Sequence, residues 1–568
     1  MKRYYGVDFE KQRELLLNSD KAKPFIDKII SNADAAIEKT YKALKMSEYM
    51  LFTETGDRKI YQSTYFEKRN DCSYMSIAYW LTGDEKYLKP LIDLVYIICD
   101  EFTWCLPAHV GAYGAKPSVE QMIETIDLFQ SETARLLTDI IAAVGDKLPY
   151  YVNERVEFEI RRRIIAPMTK YDFGWKYGTN NWAAVCGGGT ATALLHFGTD
   201  DEIGTILPMI YNAMESFLSG FHDDGCCMEG YSYWCYGFGY FVIFARMIFD
   251  YTKGEVNYFT REKVKNIALF PQHIRMSRDK VVSFSDGSTD FTFSIGLMSY
   301  LKELYGDDFK RPDISLGTKR GNVYSIRELL WFDVNYESDE QKNSTHYFDG
   351  AQWYINRGEK LSFAAKGGNN DEPHNHNDIG SFMIVTKDGD IPLADFGCAI
   401  YRRETFNNET RYTLINNGSQ GHSVPIINDT YQIAGKEYAA ENVVADGNKF
   451  SLEIQGAYEK GIINKILRSF EVKPSSVFIK DEFVYSDKTE SIKERMVSWT
   501  KPEIGNGCVD FGTAEVKFDE NKYSTAVTVD SYQLHVGPGE ATVYLVDFIP
   551  KSNDEKVFEA EIIIKEHK

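Results

Sequence analysis

The sequence predicts an α+β multidomain protein, helical in its N-terminal half and built of antiparallel sheet in its C-terminal half. Three observations carry that expectation. Apolar residues recur at helical spacing up to about residue 335, short alternating runs replace them after Tyr347, and a polar stretch, VNYESDEQKNST, lies between. At 568 residues the chain is also too long for one ordinary core. The expected organisation is a helical domain over 1–335, a linker over 336–347 and a β-sandwich domain over 348–568.

In the first half, amphipathic segments fall at 27–45, 74–81, 87–100, 118–144, 155–168, 183–196, 203–218, 236–251, 262–277 and 295–305. A similar punctuation separates several of them: Leu81-Thr82-Gly83-Asp84, Val144-Gly145-Asp146, Phe197-Gly198-Thr199-Asp200 and Tyr305-Gly306-Asp307. Glycine suits the left-handed residue that ends one helix, and the acid after it suits the N-cap of the next. The result is a loose repeat of helical hairpins, compatible with a stacked solenoid or a closed α/α toroid. In the second half, alternating runs at 361–364, 381–386, 451–454, 477–479, 494–499, 526–529 and 543–546 predict strands, and Lys387-Asp388-Gly389-Asp390 predicts a hairpin.

Composition narrows the function classes. The net charge is −20 and no basic tract appears, which argues against a nucleic-acid partner. Nine cysteines are scattered without a Cys-x-x-Cys, as expected for a reducing compartment. The opening MKRYYGVDFEKQRELLLNSD lacks the apolar core of a signal peptide, and no apolar run is long enough to span a membrane, so the expectation is a cytoplasmic protein without a membrane partner. The 37 Tyr, 35 Phe and 8 Trp offer faces that pack on sugar rings and equally on one another.

The stretch Asp371-Glu372-Pro373-His374-Asn375-His376-Asn377-Asp378 leads into an apolar run at Phe382 and reads as part of an early strand. If extended, it sets His374, His376 and Asp378 on one face, a cluster that demands partners. Upstream, Asn180-Asn181-Trp182 precedes a helix; the amides read as a cap, or as donors to a carboxylate or oxyanion. Glu229-Gly230-Tyr231-Ser232-Tyr233-Trp234-Cys235-Tyr236 reads as an aromatic corner, or as the seat of a proton-transferring tyrosine. In the 102–109 segment Trp104 is expected to pack. Downstream, Asp395 and His422 would join His376 as two imidazoles and a carboxylate, a set suited to zinc or a similar divalent ion, although the long spacing by itself favours three unrelated polar residues. Lys366, Arg402, Arg403 and Arg411 are cations available to acidic groups.

Taken in order, the Asn180-Asn181-Trp182, Glu229–Trp234, His374–Asp378, Asp395-Phe396-Gly397 and Gly421-His422-Ser423 motifs resemble the heparinase II/III superfamily of polysaccharide lyases over roughly 70–430. The resemblance implies an incomplete α/α toroid followed by a β-sandwich, and β-elimination at a uronic acid that leaves a 4,5-unsaturated sugar. It gives Asn181, assisted by Asn180, the task of neutralising the uronate carboxylate. Tyr233, with Tyr231 and Tyr236 as alternatives by alignment, becomes the acid and base; His374 becomes base or neutraliser when proton and leaving group lie on opposite faces. Asn180, Trp182, Glu229, Trp234, Tyr236 and Arg402 become substrate-binding candidates. His376, Asp395 and His422 become a structural metal site, for zinc first and manganese second. Some relatives carry a histidine where this chain has Trp182, which shifts weight to Tyr233 and His374. Sending His374 to substrate and His376 to metal requires an irregular segment rather than a regular strand. The implied substrate is an acidic oligosaccharide, glycosaminoglycan fragments first and alginate or another polyuronate second. The rivals are a toroid glycoside hydrolase that pairs Glu229 with Asp223 or Asp224, and a non-catalytic carbohydrate-binding protein.

Overall fold

A computed structural model describes residues 4–113, 117–317, 326–402, 404–407, 409–534 and 539–565. The chain forms two compact units. One comprises Met1–Gly220, Cys235–Lys265 and Thr292–Asp339; the other comprises Phe221–Trp234, Asn266–Phe291 and Glu340–Lys568. Two segments from the helical half therefore belong with the sheets. The strand Ser344–Phe348 also begins inside the stretch expected as linker. Its Ser344-Thr345 start is exposed at a sheet edge, so polarity there marks an edge strand rather than a tether.

The first unit is helical. The segment expected at 74–81 is the end of a longer helix, Lys59–Thr82, in which every residue from Asp71 to Leu81 is buried. A helix buried all round loses its apolar stripe, which is why only part of it was visible in the pattern. The single segment expected over 118–144 is two helices, Val119–Glu124 and Leu128–Val144, because the Asp127 carboxylate accepts from Gln130 N–H and starts the second. Gly83 ends its helix in the left-handed region, at φ 67°, as expected. Gly198 does not, at φ −70°; there Thr199 and Glu202 form a capping box instead. The helix Asn181–Phe197 is almost wholly buried. Its glycines permit that: a Cβ on Gly189 would lie 2.6 Å from the Ser131 carbonyl oxygen, and one on Gly188 2.9 Å from that of Tyr240.

The second unit holds antiparallel sheets. One pairs Ser344–Phe348, Trp353–Arg357, Leu361–Lys366 and Phe382–Thr386 in that order. An eight-stranded sheet centres on Val557–Ile564 and Ser476–Tyr485, with Ile463–Val472 beside the latter, and a further four-stranded sheet centres on Glu540–Pro550 and Ile492–Ser498. Each of the seven alternating runs lies in a strand or overlaps one. The core between sheets is aromatic, with Phe470 5.0 Å from Phe363 and 5.3 Å from Phe382 by ring centroids. The expected hairpin turn forms, Thr386 N–H donating to the Asp390 carbonyl at 2.8 Å. The returning chain bridges only at Ile384–Leu393, and Ala394 then donates to the Val497 carbonyl in another sheet.

Buried polar side chains fix the loops of this unit. The Arg468 guanidinium pairs with Asp481 at 2.7 Å and Glu494 at 2.7 Å. It also donates to the carbonyls of Gly380, at 2.9 Å, and Ser423, at 2.7 Å, so one cation ties the ends of two histidine-bearing loops. The Gln432 amide meets Ile379 in both directions, at 3.0 Å and 2.8 Å.

Candidate active site and metal centre

The segment 371–381 runs as turns, and the strand starts only at Phe382. His374 adopts φ +57°, a left-handed conformation that a non-glycine residue holds only when its surroundings over-determine it. The alternation that would put His374, His376 and Asp378 on one face is broken. Asp378 turns to Lys366 Nζ at 2.8 Å, both fully buried, while the two histidines converge on a residue that sequence reasoning missed.

That residue is Asp286. Its Oδ2 meets His374 Nδ1 at 2.7 Å and accepts from the Tyr401 hydroxyl at 3.0 Å; its Oδ1 meets His376 Nε2 at 3.1 Å. The Tyr401 hydroxyl in turn contacts the Tyr233 hydroxyl, and the Tyr233 ring lies 4.3 Å from the His374 ring. Glu229 Oε2 is 3.6 Å from His374 Nε2. Burial, then the Asp286 charge, push the Tyr233 phenol well above its ordinary pKa. At His374 burial opposes the charged ring, but Asp286 and then Glu229 outweigh it, and the pKa is raised. Asp286 sits in a tight turn between Ser285, at φ +59°, and Gly287, whose carbonyl accepts from Cys398 N–H.

His376, Asp395 and His422 lie together and fully buried, each with a ligand atom within 4.8 Å of the others. The donor set fits a divalent cation. His422 Nε2 faces the Asn416 carbonyl at 3.0 Å, which only accepts, so Nδ1 is the nitrogen turned to Asp395 Oδ2 at 3.1 Å. His376 has its Nε2 on Asp286, and its buried Nδ1 has no hydrogen-bond partner among the described residues. Imidazoles whose outer nitrogens are held by a carboxylate or a carbonyl are oriented as metal ligands usually are.

The remaining candidates are distributed unevenly. Tyr231 is buried and stacks on Trp234, which is itself 0% exposed with its indole N–H on the Ile267 carbonyl. Trp234 thus offers no face to a sugar and serves the core, which corrects its assignment to substrate binding. Of the three tyrosines, Tyr233 is the one that reaches His374 and Tyr401. Tyr236 lies in the helical unit with its hydroxyl buried beside Glu132. In that unit Asn181 is buried at the first turn of its helix, and the Asn180 side chain caps Trp182 N–H at 3.1 Å. Trp182 packs edge-on to His109, whose Nδ1 is 2.7 Å from Asp127. Trp104 is buried as expected. Arg402 is exposed and lines an open polar cavity of about 710 Å³, Arg411 holds the carbonyl of Asn375 at 2.9 Å, and Arg403 lies outside the described residues.

No protein-family model matches the sequence, and no curated protein matches it. Solved structures do. A heparinase III crystal structure aligns at TM-score 0.61 and 15% identity over 88% of this chain and 76% of its own. A mutant of the heparan sulfate lyase HepC from Pedobacter heparinus aligns at 0.59 and 13% over 95% and 83%. The chondroitin AC lyase of Streptomyces coelicolor A3, in complex with chondroitin sulphate, aligns at 0.60 and 10% over 99% and 83%. The fold is that of these lyases. The toroid-plus-sandwich class expected from the sequence is accordingly the class of this chain, and at such identities the likeness speaks for the fold alone. Among the described residues no helix is long and apolar enough to cross a membrane.

Proposed function

We propose that the protein is a polysaccharide lyase that cleaves uronic-acid-containing glycans by β-elimination. The observation that carries this reading is the Tyr233–Tyr401–Asp286–His374 cluster, set within a fold shared with glycosaminoglycan lyases. In the reaction the C5–H bond breaks and its proton passes to a base. The C4–O4 bond breaks as the C4–C5 double bond forms, and O4 takes up a proton. A phenol held protonated by burial and by Asp286 suits the donor to O4, so Tyr233 takes that role. Where proton and leaving group lie on opposite faces, the C5 proton goes to His374 Nε2 while Tyr233 gives its own proton to O4. Where they share a face, Tyr233 would have to start as the phenolate, take the C5 proton and pass it on to O4, a start that burial and Asp286 disfavour. Asn181 assigns itself, by residue type and motif, to the uronate carboxylate. Glycosaminoglycan fragments are the first substrate class and polyuronates such as alginate the second, with Arg402 as a cation for their acidic groups.

His376, Asp395 and His422 would hold a zinc or manganese ion. Bound there, the ion would stiffen the loop that carries His374 rather than act on the sugar. The hydrolase reading needs two free carboxylates across the bond. Asp224 does not supply one, since its two oxygens accept from the backbone N–H groups of Cys226, at 3.0 Å, and Gly350, at 2.8 Å. Incubation with heparan sulfate, chondroitin and alginate oligosaccharides tests the reading. Ultraviolet absorbance of an unsaturated uronate is expected to rise with one of these classes. Reducing ends without that absorbance would mean hydrolysis, and binding with neither signal would mean a carbohydrate-binding protein.

A further inference from the structure

His374 and His376 offer different nitrogens to the same carboxylate: Nδ1 of the first to Asp286 Oδ2 at 2.7 Å, Nε2 of the second to Oδ1 at 3.1 Å. An ionised carboxylate only accepts, so each ring carries hydrogen on the nitrogen facing Asp286. In the neutral ring the lone pair then lies on the other nitrogen. For His374 that is Nε2, on the side of Glu229; for His376 it is Nδ1, which has no hydrogen-bond partner among the described residues. We propose that Asp286 is the positioning residue that gives the two histidines opposite tautomers, aiming the lone pair of His374 Nε2 toward Glu229 and that of His376 Nδ1 into the His376–Asp395–His422 cluster.

Asp286 is suited to this because it is 3% exposed and its two oxygens are used on different partners. Oδ2 also accepts from Tyr401, so the same carboxylate orients the hydroxyl that meets Tyr233. An asparagine could not substitute. It presents one acceptor and one N–H donor, and a histidine facing that donor has to move its hydrogen to the opposite nitrogen. The role assigned to His374 rests on the lyase reading; the tautomers do not.

The experiment uses the full chain labelled with ¹⁵N-histidine, titrated upward in pH and read where the ring-nitrogen shifts show each ring to be neutral. Ring-nitrogen shifts and couplings report which nitrogen bears hydrogen, with signals assigned through His374→Ala and His376→Ala. The expected result is Nδ1–H for His374 and Nε2–H for His376, and a changed tautomer for at least one ring in Asp286→Asn. Zinc affinity, measured by competition with a chromophoric chelator, and kcat should each fall roughly 10- to 100-fold in that variant, with KM little changed. The same tautomer at both rings of the wild type overturns the proposal, even if Asp286→Asn fails to fold. So does a folded Asp286→Asn that keeps both tautomers. Because the tautomers are read without substrate, absence of unsaturated product from the wild type would count against the lyase reading and leave this inference to the spectra.

Discussion

His374 and His376 are separated by one residue and share Asp286, yet their surroundings drive them in opposite directions. The His374 side chain is 23% exposed, lies against Tyr233 and has Glu229 as a second acidic neighbour, and its pKa is raised. His376 is wholly buried with His422 close by; burial first, then that second imidazole, lower its pKa despite the same carboxylate. The comparison teaches that a shared partner does not set a histidine's chemistry. Desolvation and the next neighbour decide it. On the lyase reading, the His374 side of Asp286 would move protons and the His376 side would hold a position.

The sharpest way to break that division is to remove one hydroxyl from the exposed side. Tyr233→Phe keeps the ring against His374 and deletes only the contact to Tyr401. Turnover of the unsaturated product is expected to fall roughly 10²- to 10⁴-fold, while urea unfolding shifts by no more than about 1.5 kcal/mol. Retained turnover would remove Tyr233 from the chemistry.

On the buried side the signature should reverse. His422→Ala strips Asp395 of its partner in a fully buried pair, which costs about 3–5 kcal/mol of stability. Elemental analysis of the wild type, purified without added metal, should find about one divalent ion per chain, and the variant should lose it. A wild type free of metal, or a variant with unchanged unfolding, would collapse the contrast between the two sides.

Much of this arrangement was legible in the sequence, and the exceptions have physical causes. The strands showed themselves because alternation maps onto faces, and the His374–Asp378 and Asp395 and His422 motifs stand out by residue type. Asp286 did not. It sits in Ser285-Asp286-Gly287-Ser288, a composition that reads as an ordinary turn, and its histidine partners lie 88 and 90 positions away. Tyr401, 115 positions from Asp286, was hidden for the same reason: local pattern carries no information about distant partners. Trp234 misled in the other direction, because an aromatic beside a reactive motif looks the same whether its face is free or packed.

A second pair of histidines serves as the control, since its imidazoles have no carboxylate hydrogen bond among the described residues. His273, at the end of the helix Glu262–Ile274, stacks on His346 of the strand Ser344–Phe348 with ring centroids 3.8 Å apart. Burial, then the neighbouring His346 and Arg357, push His273 down to about 3; burial pushes His346 down to about 4, against a partial pull upward from Asp224. Both rings are therefore neutral in the folded protein where an unfolded chain would already protonate them. Above the ordinary histidine pKa of about 6.5 the pair has no effect on the pH dependence of stability. As pH falls below that value the unfolded chain takes up protons that the folded one refuses, and each ring withdraws about 1.4 kcal/mol of stability per pH unit until its own folded pKa is approached. His273→Phe preserves a stacked ring and removes one titrating group. Urea unfolding between about pH 6.5 and pH 4.5 should thus show a slope shallower than wild type by about one proton. Equal slopes would mean that the stacked pair protonates without resistance, and that burial without a carboxylate does not hold a histidine neutral in this protein.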